Sequence, residues 1–294
     1  MDRLKSVIDE QISLNAGKNL FYKDENLFSF SNNLLFIVDS INENNDYSLN
    51  ILIDYAVKKN LQEFCRINQY YDFNTDAKNE LKSIYTNLIT KIKNKSYTCN
   101  NALFQDHRIS LRNWLSKTNP FSEKIYSDDD RILSPVTCSE YDPRIQLEIL
   151  NIDLSKMTEP VLDIGCGTKA GLVIHLREKG ISAFGIDRFV SDLPYTDMEN
   201  WLEYDYGTKK WGTIISNLGF SNHFLHHHLR KDGNYISYAK KYMQILNSLR
   251  IGGSFHYAPT LPFIEQHINN SAYQIVRHQI EGQKSQSTTI MRLQ

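Results

Sequence analysis

Apolar residues recur along this chain in two different rhythms, and the change between them marks its organisation. Up to about residue 119 the spacing is helical; the clearest case is 79–92, where Leu81, Ile84, Tyr85, Leu88, Ile89 and Ile92 fall on one face. The same spacing predicts helices over 3–14, 32–41, 48–59, 61–70 and 109–117, with no internal repeat. Beyond residue 138, short apolar runs alternate with helical segments. Strands are predicted at 161–164, 181–186, 201–206, 211–217 and 254–259, and a hairpin at 273–280 with 288–293. Helices are predicted between them at 169–179 and at 235–249, where Tyr238, Tyr242, Ile245, Leu246 and Leu249 share a face. This reading makes 1–138 an all-α domain with a linker and 139–294 an α/β domain. The stretch 119–138, with Pro120, the acidic run Asp128 to Asp130 and Pro135, reads as the connection, its acids solvated. Pro143 then stands at the first position of a short helix.

The segment VLDIGCGTKAG, beginning at Val161, carries the chemistry. A strand breaks into a turn whose Gly165 and Gly167 let the backbone approach a ligand, and a helix follows with free N–H groups facing the same space. Gly165, Gly167 and Ala170 also fit the dinucleotide form G-x-G-x-x-A, so spacing alone leaves two ligand classes open. Asp163 at the strand tip would repel a pyrophosphate and favour a ligand with a cationic amino-acid end. Asp187 closes the next strand twenty residues after Gly167, where a βαβ unit delivers a carboxylate to a ribose. Arg188 beside it is compatible with a 2′-phosphate, which keeps NADP in view.

DIGCG followed by a second acidic strand end resembles motif I of the class I S-adenosylmethionine-dependent methyltransferases. The resemblance covers about residues 141–294, half the chain. It implies a Rossmann-like methyltransferase sheet, mostly parallel with one antiparallel strand near the C-terminus, behind the all-α domain, and S-adenosyl-L-methionine as cofactor. It places Asp163 by the methionine moiety, Asp187 on the ribose, Asp205 near the adenine amino group and Tyr206 beside the ring. The expected cofactor set is Tyr141, Arg144, Asp163, Gly165, Cys166, Gly167, Asp187, Arg188, Asp205, Tyr206 and Asn217, with Tyr141 and Arg144 reaching the cofactor's carboxylate or only fixing a helix start. The fourth strand has Gly212 where many relatives carry an acid, and SNLGF replaces the N-P-P-Y ending of DNA amino-methyltransferases, which argues against DNA base methylation.

Methyl transfer needs alignment and, for a hydroxyl or ammonium acceptor, a base. His223 and His227, four apart on one helical face after the fourth strand, are the catalytic candidates. The competing reading makes them ordinary polar residues bordering the site. No metal is expected, because H-E-x-x-H and a third ligand are both missing. Cys166, between two glycines, reads as a small filler, and His256 as a further residue facing the acceptor.

The 294 residues, 41% hydrophobic, suffice for a real core. A net charge of −1 removes the global basic excess of non-specific nucleic-acid binders. The four cysteines have no C-x-x-C spacing, and no signal peptide or spanning segment is visible, so a soluble cytoplasmic protein is expected. The expected activity is methyl transfer from S-adenosyl-L-methionine to oxygen or nitrogen of a small or medium-sized acceptor. The alternatives are a non-catalytic cofactor-binding sensor or scaffold and an RNA or protein methyltransferase. The helical half is expected to close over the cofactor or to bind a partner; oligomeric state is left open.

Overall fold

The computed structural model describes residues 1–24, 27–31, 33, 46–127, 130–136 and 140–294. The chain divides into two compact units, Met1–Cys138 and Ser139–Gln294.

In the first unit the described residues form helices α1 (Asp2–Asn15), α2 (Asp46–Ile67), α3 (Thr75–Lys93), α4 (Asn100–Thr118) and α5 (Phe121–Tyr126). Where the periodicity suggests two helices at 48–59 and 61–70, α2 runs through, since no glycine or proline stands between them. The expected helix at 32–41 lies outside the described residues. Helix α4 starts well before residue 109 because Leu103 and Phe104 are buried with Leu4, Leu49, Leu52 and Ile92. Asn74 caps α3 by accepting the Ala77 N–H, and Trp114 Nε1 donates to the Ala77 carbonyl at 2.9 Å, tying α4 to the same turn. Helix α5 falls within the stretch read as a connection and buries Phe121 and Tyr126.

The second unit opens with α6 (Pro143–Ile149), whose first turn is capped by the Asp142 side chain accepting the Arg144 N–H. Seven strands follow: β1 (Val161–Ile164), β2 (Ala183–Asp187), β3 (Thr196–Met198), β4 (Trp211–Asn217), β5 (Leu249–Ala258), β6 (Tyr273–Gln279) and β7 (Gln286–Arg292). They lie in the order β3-β2-β1-β4-β5-β7-β6. Every pairing is parallel except those of β7, which is antiparallel to both neighbours. This is the methyltransferase sheet that the resemblance implies, one reversed strand in a parallel frame.

Helix α7 (Gly171–Glu178) buries Leu172, Val173 and Leu176 with Val161, Ala183 and Ile215 on one face of the sheet. On the other, α8 (Phe220–His228) and α9 (Tyr235–Ser248) bury Phe220, Phe224, Tyr238, Tyr242, Ile245 and Leu246 over Leu162, Ile164, Ile214 and Phe255. Strands covered on both faces read as continuous apolar runs, which is why β1 and β4 stand out in the sequence. The third strand does not. Its place beside β2 is taken by Thr196–Met198, with Gly185 opposite Thr196, and not by 201–206. The aromatic residues of 201–206 that suggested a strand are there because Tyr204 and Tyr206 enter the core from a turn. Strand β5 begins at Leu249, longer than expected, and a short helix α10 (Pro262–Glu265) follows it. Among the described residues no helix is long and apolar enough to cross a membrane.

Candidate functional site

The carboxyl ends of β1, β2 and β4 converge on the glycine turn. Gly165 and Gly167 take φ of +79° and +77°, and Ala170 repeats the left-handed conformation at +49° before α7 starts. The Gly165 N–H donates to the Ile186 carbonyl at 2.9 Å, so the turn is fastened to β2. Cys166 drops its side chain into a notch in that strand: a Cβ at Gly185 would stand 2.8 Å from Cys166 Sγ. Burial pushes the thiol far above its ordinary pKa, which fits a filler and not a nucleophile. Trp201 lies over the turn, its ring 3.1 Å from where a Cβ on Gly165 would stand and 3.7 Å from the same point on Gly219.

Around this turn the protein concentrates negative charge. The Asp163 side chain, 2% exposed, makes no hydrogen bond to the described residues. Burial, with the nearby Asp187 carboxylate second, lifts its pKa to about 7. Asp187 accepts the N–H of Phe189 at 3.0 Å and that of Gly167 at 3.3 Å; burial raises its pKa against the pull of those bonds and of Arg188. A third carboxylate, Glu140, accepts the Thr168 N–H at 2.7 Å. The two successive amides that could cradle a phosphate are therefore already given to carboxylates. Three acids and one guanidinium suit a ligand with positive centres and oppose a pyrophosphate.

Other expected site residues fall into place or away from it. Asn217 ends β4, and its Oδ1 is buried without a hydrogen-bond partner among the described residues, an acceptor still owed a donor. Asp205 and Tyr206 do not end a strand: Asp205 is exposed and accepts the Gly207 N–H, while Tyr206 is buried with its hydroxyl on the Trp201 carbonyl at 3.0 Å. The residues that follow the real β3 are Glu199, Asn200 and Trp201, so Trp201 takes the place expected of Tyr206. Arg144 is exposed, and among the described residues its guanidinium has no hydrogen-bond or ion-pair partner. Tyr141 lines a separate hollow with Ile145, His256 and Thr289, one that includes no residue of the glycine turn. Its neighbour Glu140 is the residue that touches the loop. Nothing local in the sequence marks Glu140, which lies 28 residues before Thr168.

The histidines also separate. His223 is 3% exposed and edge-on to Trp201, with ring centroids 4.8 Å apart; its Nδ1 is 3.5 Å from the Tyr238 hydroxyl. Burial, then Arg188, holds its pKa well below the usual range. His227 stacks on Tyr238, and its Nδ1 accepts the Asn234 N–H at 3.1 Å. The neutral ring therefore carries its proton on Nε2, which is buried with no partner among the described residues, and burial lowers the pKa to about 4. In this geometry His227 offers a donor and not a free lone pair. His256 has both nitrogens within reach of hydroxyls, Ser254 at 2.8 Å and Thr289 at 3.2 Å, and burial brings it to about 4. Among the described residues no cluster of His, Cys, Asp and Glu could hold a metal. Gly212 has a packing cause: a Cβ there would stand 2.4 Å from the Thr158 carbonyl oxygen and 2.6 Å from that of Glu159.

No protein-family model matches the chain, and no curated protein matches it. Solved structures do. The 1,6-didemethyltoxoflavin-N1-methyltransferase of Burkholderia thailandensis, with 1,6-didemethyltoxoflavin and S-adenosylhomocysteine bound, is 16% identical, with 63% of this chain and 88% of that one covered and a TM-score of 0.36. A SAM-dependent methyltransferase of Bacteroides fragilis in complex with S-adenosyl-L-homocysteine is 11% identical over 53% and 86%, TM-score 0.35. A glycopeptide N-methyltransferase complexed with sinefungin is 11% identical over 55% and 98%, TM-score 0.37. At such identities and scores the ligands and acceptors named belong to those proteins alone.

Proposed function

We propose that the unit following residue 138 binds S-adenosyl-L-methionine at the glycine turn and that the protein transfers the methyl group to oxygen or nitrogen of a small or medium-sized acceptor. The observation that carries this reading is the carboxylate pair Asp163 and Asp187 beside one turn, with Asp163 lacking any hydrogen-bonding partner among the described residues. A buried acid without a partner is costly unless a positive group meets it. When bound, the cofactor supplies a methyl group already activated on a positively charged sulfur.

The chain's own residues would then divide the work. Asp187 keeps lone pairs beyond those given to the Gly167 and Phe189 amides and can accept ribose hydroxyls. Trp201 offers an apolar cover over Gly165, and Asn217 Oδ1 an acceptor at the end of β4. His223 and His227 border the acceptor side as neutral groups, and His227 orients by donating from Nε2. Neither histidine is set to take a proton, so the acceptor that suits this site is one already nucleophilic at neutral pH, such as an uncharged amine.

Calorimetric titration with S-adenosyl-L-methionine, S-adenosylhomocysteine and NADP tests the reading. The first two are expected to bind and NADP is not; NADP binding alone would overturn it. The lowered pKa of both histidines, with His227 Nδ1 already taken by the Asn234 N–H, favours a second reading, a cofactor-binding module without turnover. Formation of S-adenosylhomocysteine in the presence of a small-molecule fraction of the source cells would exclude that module.

A further inference from the structure

Helix α7 begins without a side-chain cap: its N-cap position is Ala170, in left-handed conformation, which has no side-chain acceptor. Two amides ahead of it, those of Gly167 and Thr168, are given to the Asp187 and Glu140 carboxylates. Glu140 reaches the turn from 28 residues upstream, its Oε1 accepting the Thr168 N–H at 2.7 Å and its Cγ and Cδ 3.1 Å from where a Cβ on Gly167 would stand. The backbone that delivers it is held. Gln146 Nε2 donates to the Tyr141 carbonyl at 2.9 Å, Asp142 caps α6, and Pro143 Cγ lies 4.0 Å from where a Cβ on Gly171 would stand. Glu140 itself is exposed and makes no second hydrogen bond to the described residues.

Glu140 brings a third carboxylate to a turn already flanked by Asp163 and Asp187, and like charges this close repel. The amino-acid end of the proposed cofactor also carries a carboxylate, but with an ammonium group beside it. Exchanging the first for the second keeps the Thr168 amide satisfied and brings its own compensating charge to the acidic site.

Resting on the cofactor reading above, we propose that Glu140 is a resident competitor for the cofactor's α-carboxylate: it holds the Thr168 amide until the amino-acid end of S-adenosyl-L-methionine displaces it. The residue thereby sets the threshold of cofactor concentration at which the site fills, because only the fraction of molecules with Glu140 released can accept that end of the ligand.

The test compares wild type, Glu140→Gln and Glu140→Ala by calorimetry with two ligands, S-adenosylhomocysteine and methylthioadenosine, which lacks the amino-acid end. Glu140→Ala is expected to bind S-adenosylhomocysteine roughly three- to tenfold more tightly and Glu140→Gln, which keeps an uncharged and weaker acceptor for the amide, by a smaller factor, with methylthioadenosine affinity unchanged in both. Equal or weaker binding of S-adenosylhomocysteine by the variants overturns the competitor role while leaving the cofactor reading intact; weaker binding would make Glu140 a cofactor ligand instead. A parallel gain for both ligands also overturns it, since that would be general charge relief. Failure of all three proteins to bind either ligand overturns both the role and the cofactor reading. Thermal melts confirm that these exposed substitutions leave the fold in place.

Discussion

Asp187 Oδ2 accepts the backbone N–H of Gly167 at 3.3 Å, so the twenty-residue interval between them in the chain is closed by a hydrogen bond in the fold. Asp187 thus holds the glycine turn in shape while each of its oxygens keeps a further lone pair. Because its other oxygen takes the Phe189 amide, removing the carboxylate frees two backbone donors at once.

Asp187→Ala is therefore expected to cost both affinity and stability. Loss of a hydrogen bond to a charged group is worth about 1.5–3 kcal/mol in cofactor binding. Asp187→Asn, which keeps an acceptor oxygen for only one of the two amides, should recover part of the stability and little of the affinity. Paired calorimetry and chemical denaturation separate the two; unchanged cofactor affinity in Asp187→Ala would place the ribose elsewhere.

Asp163 makes the protein's stability depend on pH in a definite direction. Its pKa rises on folding from 3.8 to about 7, so between those values the folded chain holds a proton that the unfolded chain has released. This contribution to stability is full below about pH 4, declines as pH rises through the window, and is lost above about 7. Asp163→Asn removes the decline, raising stability at pH 8 relative to wild type by at most on the order of 4 kcal/mol and changing little at pH 4. Melting curves across pH 4–8.5 check this, and wild-type and variant curves that run parallel would refute it. By the same linkage, binding of a cationic cofactor should release a proton near pH 7.

His227 is expected to matter more to the fold than to proton transfer. His227→Ala leaves the Asn234 N–H without its acceptor and removes the stack on Tyr238, a loss of about 1–3 kcal/mol in urea unfolding. With its pKa near 4, a turnover profile between pH 5 and 8 should show no limb belonging to this ring. A limb near 6.5 that vanished in the variant would restore it as a base.

Gly212→Ala should be among the most damaging small substitutions in the sheet. The new methyl would meet backbone oxygens of Thr158 and Glu159, which cannot swing aside as a side chain can, so a loss of about 3 kcal/mol or more is expected at the upper end of overpacking costs. Thermal unfolding measures it. A well-folded Gly212→Asp would show that an acid fits there after all.

Much of this was legible in the chain because the relevant physics is local. Buried strands β1 and β4 are unbroken apolar runs, and the interval from Gly167 to Asp187 reflects one helix and two strand ends. Strand β3 was hidden because it is three polar-edged residues, Thr196–Met198, while the apolar density nearby belongs to Trp201, Tyr204 and Tyr206 packing from a turn. That displacement is why the strand-end expectation fell on Asp205 and Tyr206, whereas the residues that follow β3 are Glu199, Asn200 and Trp201. Glu140 was illegible for another reason: its partner is a backbone amide, which leaves no mark on residue type. The histidines were located correctly on one helix, yet their protonation depends on Asn234 and Tyr238, residues whose approach only the tertiary fold supplies.

The seating of Cys166 in the gap left by Gly185 keys the turn to β2 like a peg in a socket. A peg of this kind opposes sliding of the turn along β2, and the Gly165 N–H bonded to the Ile186 carbonyl fastens the same junction. The Trp201 indole and the Glu140 carboxylate, by contrast, meet this loop only through side chains, so fitting the proposed cofactor would fall to those two groups.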